Sequence, residues 1–255
     1  MSEARSGVTE DAFLGGRLLL RQPVSGHRAG HDAILLAAAT AARLGDRVVD
    51  FGAGVGAAGL AVATRVAGVE LRLVEIAPEL AGLAAVNAVF NGIVADTLMF
   101  DVTADAATFA RFDLGPDSVD VVLMNPPFND PMRQQASPDT DRRLAHEATA
   151  ATLENWIHAA RRVLKPGGAL TLIWRAEGLT DVLACLARGF GGVALQPVHG
   201  KADAPAIRIL VRAIKGARAP LRIFPGLMLN DAAGVPTPQA IALLSGEAVL
   251  PLAML

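Results

Sequence analysis

The sequence predicts a doubly wound α/β fold, a seven-stranded and mostly parallel sheet closed by an antiparallel strand pair. Three observations carry that expectation. From residue 47 onward, short β-branched runs alternate with longer Ala/Leu-rich segments, the alternation that puts helices on both faces of a parallel sheet. The runs at 97–101 and 119–124 are almost continuously apolar, as strands covered on both faces must be. The last two runs, 193–198 and 206–214, have no helical segment between them and therefore read as an antiparallel closure.

The elements follow in order. A strand over 47–51 leads into a helix over 57–67. A second strand at 70–75 precedes a helix with Pro78 in its first turn and Asn91-Gly92 at its end. Strands at 97–101 and 119–124 come next, then a helix from about 150 to 164 stopped by Lys165-Pro166-Gly167-Gly168. A strand at 169–174 and a helix near 180–188 complete the alternation. Residues 1–45 are expected to form a helical or irregular extension, and 134–141 a polar, Pro-containing loop. No repeat or low-complexity linker divides 46–255, so one domain is expected.

Composition narrows the function classes. With 23 Lys+Arg against 25 Asp+Glu, the formal net charge of −2 excludes capture of nucleic acid or membrane by bulk positive charge. One cysteine excludes an intrachain disulfide framework and fits a reducing compartment; Cys185, in an apolar helical run, reads as a core residue. A mean hydropathy of +0.40 raises the question of a membrane span. The apolar stretches 33–42, ended by Arg43, and 248–255 are both too short to cross a bilayer. Alanine accounts for much of the 52% hydrophobic content, and the expectation is a soluble, cytoplasmic protein without a membrane partner.

The densest chemical signal is Val49-Asp50-Phe51-Gly52-Ala53-Gly54-Val55-Gly56-Ala57-Ala58-Gly59. Glycines here permit a tight strand-to-helix turn and close approach of a ligand to backbone N–H groups. Gly54-Val55-Gly56-Ala57-Ala58-Gly59 satisfies the dinucleotide fingerprint, with Glu75 suitably placed for a ribose hydroxyl, so a nicotinamide cofactor is one reading. Asp50 favours another. A carboxylate just before the loop repels a pyrophosphate and suits the ammonium of a methionyl group, which points to S-adenosylmethionine. Asp101, ending the third strand, faces the same crevice either as acceptor for an adenine amino group or as a cap for a helix at 104–109.

The second signal follows the fourth strand, where Asn125-Pro126-Pro127-Phe128 forces the chain out of the sheet. The proline after Asn125 holds that residue extended and fixes its direction. An amide, a proline carbonyl and an aromatic ring thus share one rigid patch beside the crevice. That patch suits methylation of a planar exocyclic amine, whose lone pair is delocalised into its ring. If the Asn125 oxygen and the Pro126 carbonyl accept its two hydrogens, the nitrogen pyramidalises and attacks a sulfonium methyl in line. Phe128 is placed to stack on a splayed-out base.

Taken together, Asp50-Phe51-Gly52-Ala53-Gly54-Val55-Gly56 and Asn125-Pro126-Pro127-Phe128 resemble the class I amino-methyltransferases, which modify adenine, guanine or glutamine nitrogens. Within that group the chain is similar, over about 13–244, to the bacterial tRNA(1)(Val) adenine N6-methyltransferase family. The upstream part of the likeness is Phe13-Leu14-Gly15-Gly16-Arg17, Leu20-Arg21-Gln22-Pro23 and Gly26-His27-Arg28-Ala29-Gly30-His31-Asp32-Ala33. The resemblance implies a Rossmann-like fold, S-adenosylmethionine as cofactor and a tRNA anticodon-loop adenosine as acceptor. It also implies that residues 1–45 pack on the cofactor site, with Arg28 and Asp32 walling the methionyl end. Asp50, Gly52, Ala53, Gly54, Glu75, Ile76, Asp101 and Asn125 complete the implied cofactor set; Asn125, Pro126, Pro127 and Phe128 carry the reaction. Many relatives have an aromatic at the place of His27 and tyrosine at that of Phe128; stacking survives with phenylalanine.

Other features are weighed against these. His27 and His31, four apart with Asp32 adjacent, lack the third well-spaced ligand of a metal site, and no metal is expected. Arg133, Arg142 and Arg143, the group Arg161, Arg162 and Lys165, and the C-terminal set Arg208, Arg212, Lys215, Arg218 and Arg222 form a plausible phosphate-contacting rim, or simply solvated faces. Two other enzyme readings use a similar tetrapeptide: a release-factor glutamine methyltransferase, which usually has an N-terminal helical domain, and a ribosomal RNA guanine methyltransferase, typically with a duplicated domain. A noncatalytic RNA- or nucleotide-binding module on the same fold is the reading from a different class, against which intact Asp50, Gly52, Gly54, Glu75 and Asn125 speak.

Overall fold

The computed structural model describes residues 7–25, 28–127 and 139–255, with side chains from residue 150 in the last stretch. An antiparallel hairpin opens the chain, β1 (Val8–Phe13) and β2 (Leu18–Pro23), followed by α1 (His31–Ala39). The hairpin corrects the expectation of a helical or irregular extension over 1–45. Its period-two signal is masked in sequence by consecutive leucines; in the structure Leu18, Leu20 and Gln22 point inward while their neighbours do not.

The alternation then runs β3 (Arg47–Phe51), α2 (Ala57–Arg65), β4 (Glu70–Glu75), α3 (Pro78–Phe90), β5 (Ala95–Met99), α4 (Ala106–Arg111), β6 (Val119–Met124), α5 (Asp139–Val163), β7 (Leu164–Arg175), α6 (Leu179–Leu186), β8 (Phe190–Lys201), β9 (Ala206–Lys215), β10 (Arg222–Ile223), β11 (Leu227–Asn230) and α7 (Pro238–Leu244). The sheet order is β10-β8-β9-β7-β6-β3-β4-β5, with β11 also beside β8. β9 is antiparallel to both neighbours and the remaining pairings are parallel. All seven expected strands are present. Two short ones, β10 and β11, add to the sheet by covering successive stretches of the outer edge of β8.

Two local readings change. β5 lies two residues upstream of the expected strand, because its pairing with β4 ends at Glu75↔Met99. Phe100 then turns inward, stacked on Phe112 and edge-on to Phe109. The Lys165-Pro166-Gly167-Gly168 stop is a bulge inside β7: Val119 pairs with Leu164 and Val121 with Ala169, so 165–168 stand opposite Asp120 alone. Lys165 Nζ closes it on Asp120 at 2.7 Å.

Apolar side chains fill both faces of the sheet. One core joins the hairpin, α1, α2 and the inward residues Val48, Leu73, Val121, Leu123 and Ile173. The other packs α5 and α6 on Val49, Phe51, Val122, Met124, Leu172 and Trp174. Among the described residues, no helix is long and apolar enough to cross a membrane, and no three His, Cys, Asp or Glu side chains cluster as metal ligands.

Candidate active site

The crossover between β3 and β6 opens a crevice at the carboxyl ends of the strands, the usual ligand position in such sheets. The loop after β3 lines it. Gly52, Gly54 and Gly56 have φ of +67°, +57° and +88°, left-handed values that glycine adopts without strain. At Gly52 a Cβ would stand 2.4 Å from Cη2 of Trp156, so the α5 indole lies directly on the loop. At Gly54 a Cβ would meet nothing within 4 Å, which leaves that backbone open to a ligand.

Glu75 braces the loop from the end of β4. Its Oε2 accepts from the Gly54 amide at 2.8 Å and its Oε1 from the Ala77 amide at 2.9 Å. A carboxylate oxygen with one such bond retains acceptor capacity, so the ribose role implied for Glu75 is compatible with this bracing. Asp50 is buried, and its Oδ2 accepts from the Gly59 amide of α2 at 2.8 Å. Burial lifts its pKa to about 7; the Gly59 hydrogen bond opposes the lift and the neighbouring Glu75 charge adds to it. Ala53 is buried at the base of the loop, and Ile76 presents an exposed apolar side chain beside Glu75.

Asn125 leaves the sheet directly after β6. Its Oδ1 is buried and has no hydrogen-bond partner among the described residues. Pro126 is buried and Pro127 exposed, so the rigid Asn-Pro-Pro exit expected from the sequence lies one strand from the glycine loop. Phe128 lies outside the described residues, as do His27, Arg133 and the side chains of Arg142 and Arg143.

Three implied residues are placed differently. Asp101 lies past the end of β5, exposed, with Oδ1 accepting from the Thr103 amide; Asp105 caps α4 instead. Arg28 turns away to the hairpin, where Nη2 pairs with Asp11 and Nη1 bonds Thr9 Oγ1 and the Pro23 carbonyl. Asp32 pairs with Arg208 of β9 at 2.9 Å. Two residues of the site's surroundings were not expected. Trp156 gives no signal beyond an aromatic in an amphipathic helix. Arg175 carries a weak one, a cation closing an otherwise apolar strand.

Comparisons with known proteins agree with the fold. A model of the methyltransferase small domain matches residues 30–199. A predicted O-methyltransferase from Agrobacterium tumefaciens is 31% identical, with 86% of this chain and 98% of that one covered and a TM-score of 0.71. A release factor glutamine methyltransferase from Bifidobacterium longum is 35% identical over 136 residues, 49% of this chain and 46% of that protein. The match thus spans about half the length of that curated relative. TrmN from Thermus thermophilus shares the fold, at 21% identity and a TM-score of 0.52 over 72% of this chain and 47% of that one.

Proposed function

Because the chain belongs to the methyltransferase small domain family, we propose that it transfers a methyl group from S-adenosylmethionine to the exocyclic N6 of adenine in RNA, with an anticodon-loop adenosine of a tRNA as acceptor. One observation carries this reading: the buried, unpartnered Oδ1 of Asn125 at the end of β6. A buried acceptor without a donor is costly unless a ligand completes it, and an exocyclic amine supplies the missing N–H. The open backbone at Gly54, the Glu75 carboxylate and the exposed Ile76 face fit the cofactor's methionyl, ribose and adenine parts respectively.

When bound, S-adenosylmethionine supplies an electrophilic methyl on a sulfonium. The residues of this chain position the acceptor. Asn125 Oδ1 takes one hydrogen of the amine and the Pro126 carbonyl the other, which draws the nitrogen out of conjugation and aims its lone pair across the gap between β6 and β3. Phe128 stacks on the base. The amine proton is lost after methyl transfer, so the site requires no strong general base.

A glutamine side-chain amide has similar NH2 geometry, and the 35% identity to a release factor methyltransferase gives that acceptor specific support. The Agrobacterium relative's description adds an oxygen acceptor to the comparison. Labelled cofactor offered to tRNA lacking the modification and to release factor, followed by nucleoside and peptide analysis, separates the three. Label on N6-methyladenosine is expected; label on glutamine or on an oxygen overturns the RNA reading. Asn125→Ala should abolish transfer while calorimetry still detects cofactor binding.

A further inference from the structure

The far side of the crevice carries two arginines that the methyl-transfer chemistry leaves unused. Strand order places them: the glycine loop ends β3 on one side of Asn125, and β7 and β9 lie on the other. The β6–β7 register ends at Met124↔Leu172, and Arg175 closes β7 three residues further on, beyond the point where the chain leaves β6. Arg175 and Arg208 are direct partners across β7 and β9. With strands about 4.8 Å apart, the pair lies roughly 5 and 10 Å from the catalytic strand, on its acceptor side.

Arg175 is buried, 9% exposed, yet its Nε has no hydrogen-bond partner among the described residues. Its ion pair is Nη1 to Glu177 at 3.1 Å, and that carboxylate is 71% exposed. Such a guanidinium retains donors while giving up most of its hydration, an arrangement that favours a planar or tetrahedral oxyanion. Arg208, held by Asp32 at 2.9 Å, stands beside it. Above both lies α1, which packs on β6, β7 and β9, and whose Gly30 N-cap provides no side-chain acceptor for the first-turn amides.

We propose that Arg175, with Arg208 beside it, receives a backbone phosphate of the acceptor strand, so that the substrate is a polynucleotide and not a protein amide. This rests on the reading of Asn125 as the acceptor-binding residue. The order of loop, Asn125 and arginines along the crevice then matches that of methyl donor, base and phosphate. Exposed Glu177 competes with the phosphate for Arg175 and moderates affinity.

The test measures binding, without turnover, of a fluorescent RNA stem-loop bearing unpaired adenosines, in the presence of S-adenosylhomocysteine. Arg175→Gln should weaken RNA binding about tenfold and reduce the slope of log affinity against log salt by about one, as loss of a single phosphate contact requires. Arg175→Lys should recover part of the affinity. Glu177→Gln, at an exposed position where folding is not at issue, should shift binding the other way, tightening it about twofold. Affinity of the Arg175→Gln protein for S-adenosylhomocysteine should stay at the wild-type value. Wild-type RNA affinity and salt slope in both variants overturn the proposal. So does loss of S-adenosylhomocysteine binding in Arg175→Gln, which makes Arg175 a cofactor residue. If methyl label goes to release factor while RNA binding still depends on Arg175, the polynucleotide half of the proposal falls with the adenine reading and only the phosphate-binding role of Arg175 stands.

Discussion

Single residues in the glycine loop divide their work between folding and ligand. Gly52 and Gly54 both have positive φ, so an alanine at either costs about 1–2 kcal/mol of backbone strain. Gly52→Ala also drives a methyl into Trp156 and should lower the thermal midpoint steeply. Gly54→Ala meets no protein atom; its methyl enters the space left for the cofactor. Thermal unfolding and calorimetry on the two variants should therefore separate: a collapsed midpoint for Gly52→Ala, and for Gly54→Ala a midpoint lowered only by the strain, about 2–8 °C, with cofactor affinity reduced at least tenfold. Asp50 adds a pH signature. Its folded pKa of about 7 is above the ordinary 3.8, so between those values the native state holds the extra proton. The group's contribution to stability is then most favourable at low pH and declines as pH rises through 4 to 7. Asp50→Asn removes that decline, and the difference between urea midpoints of variant and wild type should grow in the variant's favour from pH 4.5 to 7.5. On the proposed cofactor, a methionyl ammonium beside Asp50 stabilises the carboxylate. Binding at pH 7 should release a proton, visible as a buffer-dependent calorimetric enthalpy and absent in Asp50→Asn.

At the scale of elements, Asn87 of α3 and Asn91 at its C-cap do for β2 what a neighbouring strand does elsewhere. Asn87 accepts from the Arg21 amide at 2.8 Å and donates to its carbonyl at 3.1 Å; Asn91 makes the same pair of bonds to Leu19 at 2.9 and 2.7 Å. Four helical residues advance about 6.0 Å and two strand residues about 6.6 Å, so the spacings match closely enough for a side-chain ladder. Asn87 also donates to the Val55 carbonyl, which ties the hairpin to the glycine loop. Asn87→Leu strands three backbone groups, two of them in β2, and should cost about 3 kcal/mol or more in denaturant unfolding while weakening cofactor binding. This ladder shows where legibility ended. Asn91-Gly92 reads as a helix stop, and it is one, but nothing local reveals that its amide pairs with a strand some seventy residues upstream. The central strands were legible because burial on both faces writes itself as an apolar run. The hairpin was not, because its inward set includes Gln22, held by Asp11 and the Ala29 amide. For Arg28 the family resemblance implies a place with Asp32 at the cofactor, and nothing local reveals that the β1 carboxylate of Asp11 pairs with it.

For the whole molecule, a formal charge of −2 and the proposed RNA acceptor are reconciled by segregation. The acids Asp50 and Glu75 are buried under the glycine loop, on the side proposed for the cofactor, while Arg175 and Arg208 lie on strands on the other side of Asn125. Several other cations are committed to the fold: Arg47 and Arg72 pair with Glu70 and Asp113, Lys165 with Asp120, and Lys215 with Asp117. On the proposed tRNA acceptor, the phosphate contacts are those of the crevice arginines, and affinity comes largely from the base held at Asn125. That has a measurable consequence. With about three phosphate contacts, raising salt from about 50 to 200 mM should weaken tRNA binding roughly 40-fold, against the thousandfold or greater loss expected for six to ten contacts. A titration of tRNA binding against salt, on the wild-type chain and on Asn125→Ala, checks both halves of the argument. The two should share one slope, since neither loses a cation, and differ by a constant factor that reports the base contact. A slope steeper than that for about six contacts would mean that the basic residues outside the crevice carry the RNA, and that recognition is a surface property instead of one built at the end of β7.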